Sequence, residues 1–321
     1  MKYYLGMDIG GTKCAVVISE KGSAAIKDKI RFDTVVERGW QKIVEELVGS
    51  AALLLERNNV SFQDVLCCGV SCGGPLNSEK GIIMRPPNLP DWDNVPLADI
   101  VTSSLGIPCK VCNDADACAL AEWQYGAGKG TKNMVFLTFG TGMGAGLILG
   151  GRLYTGAYGA AGEVGHIRLD TDGPIGYNKA GSFEGFCSGG GIANMAKKIL
   201  SLSSEETLID RKNPTAKNIA EAAAKGDKIA RMIYRKSGEK LGMGLSIIID
   251  ILNPEKIVIG SIYQKSRSLL EESMLSVIER EALPGSAAAC EIVPAALGDS
   301  IGDYAAVGVA ATYYKEVQIK E

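Results

Sequence analysis

Twice in this chain an apolar run meets a turn of glycine and threonine and doubles back as a second apolar run, which limits the possible folds more than any other feature. Tyr3-Tyr-Leu-Gly-Met-Asp8 reads as a buried strand, Gly10 and Gly11 make the turn, and residues 14–19 read as the hairpin partner. Residues 134–139 read as a second such strand, Gly140-Thr-Gly-Met-Gly144 as its turn, and residues 145–149 as its partner. The layout is a short internal duplication. Successive backbone N–H groups in such a turn form an anion nest, Thr12 adds a hydroxyl, and Asp8 could hold a water of a hydrated Mg²⁺. A Gly-Gly hairpin is also ordinary turn chemistry, so the turns alone do not define a site.

Between the two hairpins, Val111-Cys-Asn-Asp-Ala-Asp-Ala-Cys-Ala-Leu-Ala-Glu122 changes from an apolar run to an alanine-rich helical pattern. The break falls at Asn113-Asp114, which places a carboxylate at a strand-to-helix junction. Such an Asp is a good helix cap, and flanked by two phosphate cradles it is equally a candidate base. Cys72-Gly-Gly-Pro-Leu-Asn77 is another turn at the carboxyl end of a strand, where open α/β sheets place ligands. Arg85-Pro-Pro-Asn-Leu-Pro-Asp-Trp92 cannot be helical and presents Asn88 on a stiff loop. Gly162-Glu-Val-Gly-His166 holds the single histidine, beside a glutamate in a glycine-rich loop. Helical patterns cover residues 40–55, 97–105, 192–200, 215–225, 227–253 and 269–282; residues 256–260 form a late strand. A closing helix over 303–312 is expected to return to the first lobe. The expected division is therefore a smaller N-terminal lobe, 1–116 plus about 303–321, and a larger C-terminal lobe, 117–302.

With 46% hydrophobic and 22% charged residues, the 321-residue chain has the make-up of a globular enzyme large enough for two lobes. A net charge of −3 without a run of Lys or Arg argues against a nucleic-acid partner. No stretch approaches ~18 uninterrupted apolar residues and no signal-peptide layout opens the chain, so a cytoplasmic protein without a membrane partner is expected. The nine cysteines read as reduced core residues; Cys109 and Cys112 have redox spacing, but Lys110-Val111 between them continue a strand.

Taken together, Asp8-Ile-Gly-Gly-Thr-Lys13, Asn113-Asp114, Gly140-Thr-Gly-Met-Gly144, Glu163-Val-Gly-His166, Glu184 and Ser188-Gly189 resemble, in order, the ROK family of the sugar kinase, actin and Hsp70 superfamily. The resemblance implies a two-lobed, ribonuclease H-like α/β fold with an interlobe cleft, ATP bound with Mg²⁺ mainly by the larger lobe, and a hexose in the hinge. It implies a glucokinase-like enzyme with Asp114 as general base. Gly74, Asn88, Asn113, Glu163, His166 and Glu184 would hold the sugar. Asp8, Gly10, Gly11, Thr12, Lys13, Gly140, Thr141, Gly142, Ser188, Gly189 and Gly260 would hold the nucleotide, although Ser261 replaces a second Gly common after that strand. A homodimer is expected, since similar kinases commonly form one. The rival expectation is a non-catalytic sugar-binding regulator of the same fold.

Two departures from the family pattern matter. Its members typically bind zinc through this His and three cysteines in a C-x-C-x₄-C pattern, but Ile175, Tyr177 and Ser182 stand at the corresponding positions, so no structural zinc is expected. Packing by Ile175, Tyr177 and Phe183 is expected to hold the loop instead. Repressors of the family carry a DNA-binding segment before the first glycine loop, where this sequence has seven residues, so a repressor is not expected.

Overall fold

A computed structural model describes residues 1–320 of the chain. Strands β1 (Tyr3–Ile9), β2 (Lys13–Glu20) and β3 (Ile26–Asp33) precede helix α1 (Trp40–Arg57). Then come β4 (Val65–Cys72), the short strands β5 (Leu76–Asn77) and β6 (Ile82–Ile83), α2 (Leu97–Leu105), β7 (Cys109–Asn113) and α3 (Asp114–Tyr125). The second hairpin is β8 (Met134–Phe139) and β9 (Met143–Leu149), extended by β10 (Arg152–Tyr154). A small hairpin, β11 (Ile175–Gly176) and β12 (Lys179–Ala180), leads to α4 (Phe183–Phe186), α5 (Gly189–Leu202), α6 (Ala216–Ala224) and α7 (Lys228–Leu252). The chain ends with β13 (Lys256–Ile259), α8 (Ile262–Glu281), α9 (Pro284–Ala289), β14 (Glu291–Pro294) and α10 (Ile301–Lys320).

Two compact units result: residues 1–130, 155–160 and 297 onward form the first, and 131–154 with 161–296 the second. The first holds a five-stranded sheet in the order β3-β2-β1-β4-β7, with β2 antiparallel to its neighbours and β4 and β7 parallel to β1. β1 reads as a continuous apolar run because both its faces are covered. Leu5, Met7 and Ile9 pack in one core with Ile43 and Leu47 of α1 and Val101 of α2. Tyr4, Val17 and Cys67 meet Val307, Ala310 and Ala311 of α10 on the other side. Gly6 and Gly69 are partners on β1 and β4, and α10 lies directly over them. A Cβ on Gly6 would come within 2.9 Å of the Ala306 side chain, and one on Gly69 would strike the backbone of Ala306 and Ala310.

A boundary at residue 116 does not exist in the structure, because α3 runs through it unbroken. α3 belongs with α10: Gln124 Nε2 donates to Gly308 O at 3.3 Å and to Thr312 Oγ1 at 2.9 Å. The buried Glu122 carboxylate accepts from the Ala127 and Leu297 amides at 2.8 and 2.9 Å, which carries the first unit to Gly130 and resumes it at Leu297 rather than 303.

The second unit repeats the first sheet strand for strand, in the order β10-β9-β8-β13-β14 with the same directions. Val135, Leu137, Ile257 and Ile259 form its core with Leu241 and Leu245 of α7 and Tyr263 and Leu270 of α8. All nine cysteines are free thiols, and those of β7 lie in the sheet as expected. No helix among the described residues is long and apolar enough to cross a membrane.

Candidate functional site

In the first unit the parallel strands β1, β4 and β7 end side by side, Asp8 level with Ser71 and Cys72 level with Asn113. Their carboxyl ends therefore gather Asp8, the loop after β4, and Asn113-Asp114. Asn113 caps α3: its Oδ1 and Asp114 Oδ1 both accept the Ala115 amide at 2.9 Å. A Cβ on Gly74 would lie 3.1 Å from Asn113 Nδ2, so the glycine loop sits against the cap. Solvent reaches Asp114, yet protein atoms crowd its carboxyl. The resulting desolvation raises its pKa, opposed by the backbone N–H groups of Ala115 and of Asp114 itself.

Asp8 is half-buried. Burial first and the Asp303 charge second push its pKa up to about 6, against a hydrogen bond from Ser71 and the attraction of Lys29. The turn after it is closed by Gly10 N donating to Lys13 O at 3.0 Å. The buried Thr34, which no local pattern marks, holds this turn from β3's end. Its hydroxyl donates to Gly10 O at 2.6 Å and its amide to Thr12 O at 3.0 Å. Thr12 and Lys13 are exposed. Asn88 is exposed and its backbone lies on the turn, since a Cβ on Gly11 would come 2.6 Å from Asn88 O.

The second unit brings its own set together. Gly140 N donates to Gly142 O at 3.1 Å across the β8–β9 turn, and Gly189 N donates to Gly140 O at 2.8 Å. Thr141 at the tip is exposed. Ser188 caps α5 by accepting the Gly191 amide at 3.0 Å. Gly260 N donates to Leu137 O at 3.0 Å, and a Cβ on Gly140 would lie 3.6 Å from Ser261 Oγ. Ser261 takes φ 54°, ψ −109°, a conformation suited to glycine, and is held there by a capping box with Gln264. Glu184 Oε2 accepts the Met143 amide at 3.0 Å, which fixes that carboxylate beside the glycine turn. Glu163 and His166 are exposed at the two ends of one tight turn, closed by His166 N donating to Glu163 O at 3.2 Å. Gly165 between them is buried, and a Cβ there would be 3.3 Å from Glu184 Cβ. The three expected sugar readers of this unit are thus neighbours through that turn.

The sequence pattern that defines the ROK family matches residues 4–315. The chain belongs to the ROK family. A glucokinase of Halalkalibacterium halodurans is 32% identical over 307 residues, 94% of this chain and 92% of that one. A xylose repressor of Caldicellulosiruptor bescii is 32% identical over 280 residues, 86% of this chain and 70% of that one. The crystal structure of a ROK family glucokinase from Streptomyces griseus, in complex with glucose and AMPPNP, matches with a TM-score of 0.73 at 28% identity, over 96% of this chain and 99% of that one. The fold is the two-lobed sugar-kinase fold of the actin and Hsp70 superfamily.

Within this ROK chain the loop that follows His166 is held by hydrogen bonds. Lys179 Nζ donates to His166 O and Arg168 Nη1 to Ala180 O, both at 2.7 Å. Leu169 N donates to Gly181 O and Phe183 N to Ile167 O, both at 2.8 Å. Ser182 caps α4, accepting the Gly185 amide at 3.1 Å. Phe183 is fully buried as expected, but Ile175 and Tyr177 are 61% and 76% exposed and do not pack the loop. Tyr177 instead stands edge-on to His166, ring centroids 6.1 Å apart. Among the described residues no group of three or more His, Cys, Asp or Glu is arranged to hold a metal ion.

Proposed function

We propose that this chain is an ATP-dependent hexose kinase that phosphorylates a sugar hydroxyl, the 6-hydroxyl of glucose or a related hexose being the first candidate. The observation that carries the reading is the Asp114 carboxylate, its pKa raised, at the carboxyl ends of three parallel strands with Asp8 beside it. The glucokinase relatives, one of them seen with glucose and the ATP analogue AMPPNP, support the same class.

In this reading Asp114 accepts the proton of the attacking hydroxyl as the new O–P bond forms and the bond to the ADP leaving group breaks. A desolvated carboxylate is a better base than an ordinary one. Asn88, Asn113 and the backbone of Gly74 hold hydroxyls in the first unit, and Glu163, His166 and Glu184 in the second, because polyol O–H groups need acceptors. Gly10, Gly11, Thr12, Lys13, Gly140, Thr141 and Gly142 line the phosphates, and Ser188, Gly189 and Gly260 border the nucleoside. Asp8 suits Mg²⁺: it is a half-buried carboxylate with the charges of Asp303 and Asp114 nearby, and Mg²⁺ keeps most of its waters and needs few protein ligands. Mg²⁺ bound there would neutralise phosphate charge.

A coupled assay of ADP release across a panel of hexoses tests this, and release no higher than the sugar-free background throughout would end it. The second reading, a sugar-binding regulator without turnover, has the xylose repressor relative in its favour. It requires sugar binding with no sugar-dependent ADP release.

A further inference from the structure

Lys29 sits on β3 in register with Val17, and through Val17 with Gly6, in the row over which α10 lies. Its ammonium donates to both oxygens of Asp303, at 2.6 and 2.7 Å. Asp303, in the first turn of α10, is only 8% exposed. The residue before it, Gly302, lies against the Asp8 carboxyl: a Cβ there would stand 3.0 Å from Asp8 Cγ and closer still to Oδ2. Two carboxylates therefore share one neighbourhood with one ammonium, and Asp303 takes it. Asp8 is left with the repulsion of Asp303 outweighing the attraction of Lys29.

We propose that Asp303 is a positioning residue that keeps the Lys29 ammonium off Asp8, so that Asp8 forms no ion pair with it and can receive the hydration shell of a divalent cation. The inference rests on the kinase reading, in which Asp8 serves the Mg²⁺ that accompanies ATP. A lysine is a compact charge on a flexible stem, and a partly buried ammonium that loses its partner turns to the next carboxylate. Here that carboxylate is Asp8. Mg²⁺ gives up its waters reluctantly and is held through few protein ligands, so an Asp8 already paired with an ammonium binds it poorly.

The test uses Mn²⁺ as the probe, titrated against the full chain with ADP and followed by electron paramagnetic resonance, beside the Mg²⁺ dependence of phosphoryl transfer. Asp303→Asn is expected to weaken Mn²⁺ binding about tenfold, as removal of an outer-shell partner does. It should raise the Mg²⁺ needed for half-maximal rate in step, with the sugar KM unchanged. Lys29→Met alone should bind Mn²⁺ at least as tightly as the wild type, and the Lys29→Met/Asp303→Asn double variant should recover wild-type affinity to within about twofold. Wild-type Mn²⁺ affinity in Asp303→Asn, or a double variant as weak as the single, overturns the proposal, since a merely structural Asp303 would not be rescued by removing Lys29. Should Asp303→Asn fail to fold, weaker Mn²⁺ binding by folded Lys29→Met overturns it equally. Wild-type protein that binds Mn²⁺ with ADP but phosphorylates no hexose removes the kinase reading instead, while the binding series still decides the role of Asp303.

Discussion

Asp114 is held by the amide of Ala115 and its own and crowded by protein atoms, two effects of opposite sign on its pKa, and crowding wins. A raised pKa means that the base form is lost at a higher pH than for an ordinary aspartate, and the rate should fall as pH drops through the raised value. Asp114→Asn keeps the shape and the cap while removing the proton acceptor. It should lower kcat by at least ~10²-fold with the sugar dissociation constant nearly unchanged; equal turnover would take Asp114 out of the mechanism. His166 is a different case, because the loop uses its backbone while its exposed ring meets the edge of Tyr177: Lys179 donates to His166 O, which any residue supplies. His166→Ala should weaken sugar binding by roughly 1–3 kcal/mol, seen as a raised sugar KM. The KM for ATP and the melting temperature should stay put. A lower melting temperature with an unaltered sugar KM would make the histidine a packing residue. Asp114 stands out in the sequence at a strand-to-helix junction, and His166 as the single histidine, beside a glutamate in a glycine-rich loop. Thr34 does not, since it acts on Gly10 from 24 residues away and nothing beside it is periodic.

At the scale of elements, the long helices announce themselves through apolar spacing, while seven of the fourteen strands among the described residues do not, the sheet-edge strands β3 and β14 among them. β3 is an edge strand whose residues are half-buried or exposed, with Lys27, Asp28, Lys29 and Arg31 breaking any apolar run. β14 has four residues and no buried one. Caps were partly legible, and that of α7 makes a measurable claim. Asp227 Oδ1 accepts the Ala230 amide at 2.9 Å, and Oδ2 accepts the Leu208 amide at 2.6 Å and the Thr207 hydroxyl at 2.8 Å. Burial alone would raise its pKa, but these hydrogen bonds outweigh it and the net shift is downward. A pKa lower in the folded than in the unfolded chain stabilises above the unfolded value of about 4 and loses that effect as pH falls through the folded value. Asp227→Asn turns one accepting oxygen into a donor facing a backbone N–H, of Ala230 or of Leu208, at a cost of about 1–3 kcal/mol near neutral pH. Urea unfolding at pH 7 and pH 3 should show the gap between wild type and variant narrowing in acid; a gap independent of pH would mean that the charge contributes nothing.

At the scale of the molecule, local sequence pattern shows one hairpin repeated, whereas the structure repeats a whole five-stranded sheet. The rest was hidden because β4 and β7 join β1, and β13 and β14 join β8, through long stretches of helix and loop, and pairing between distant segments leaves no local period. The first unit has a further long-range dependence: its sheet begins at Tyr3, but the helix that covers one face of that sheet begins at Ile301. Tyr4, Val17 and Cys67 are buried in one cluster with Val307, Ala310 and Ala311, which lie over them. Each large apolar side chain so covered is worth about 1.5–3 kcal/mol, and a few of them rival the roughly 5–15 kcal/mol that hold a whole domain folded. A chain ending at residue 296 should therefore lose hydrogen-exchange protection at the amides of β1 and β4. The amides of β8 and β13, whose core of Val135, Leu137, Ile257 and Ile259 is closed by α7 and α8, should keep theirs. Slow exchange of β1 and β4 in the truncated chain, equal to that of the full chain, would show that the glycine strip of Gly6 and Gly69 does not need α10 and that the first sheet is stable with one face uncovered.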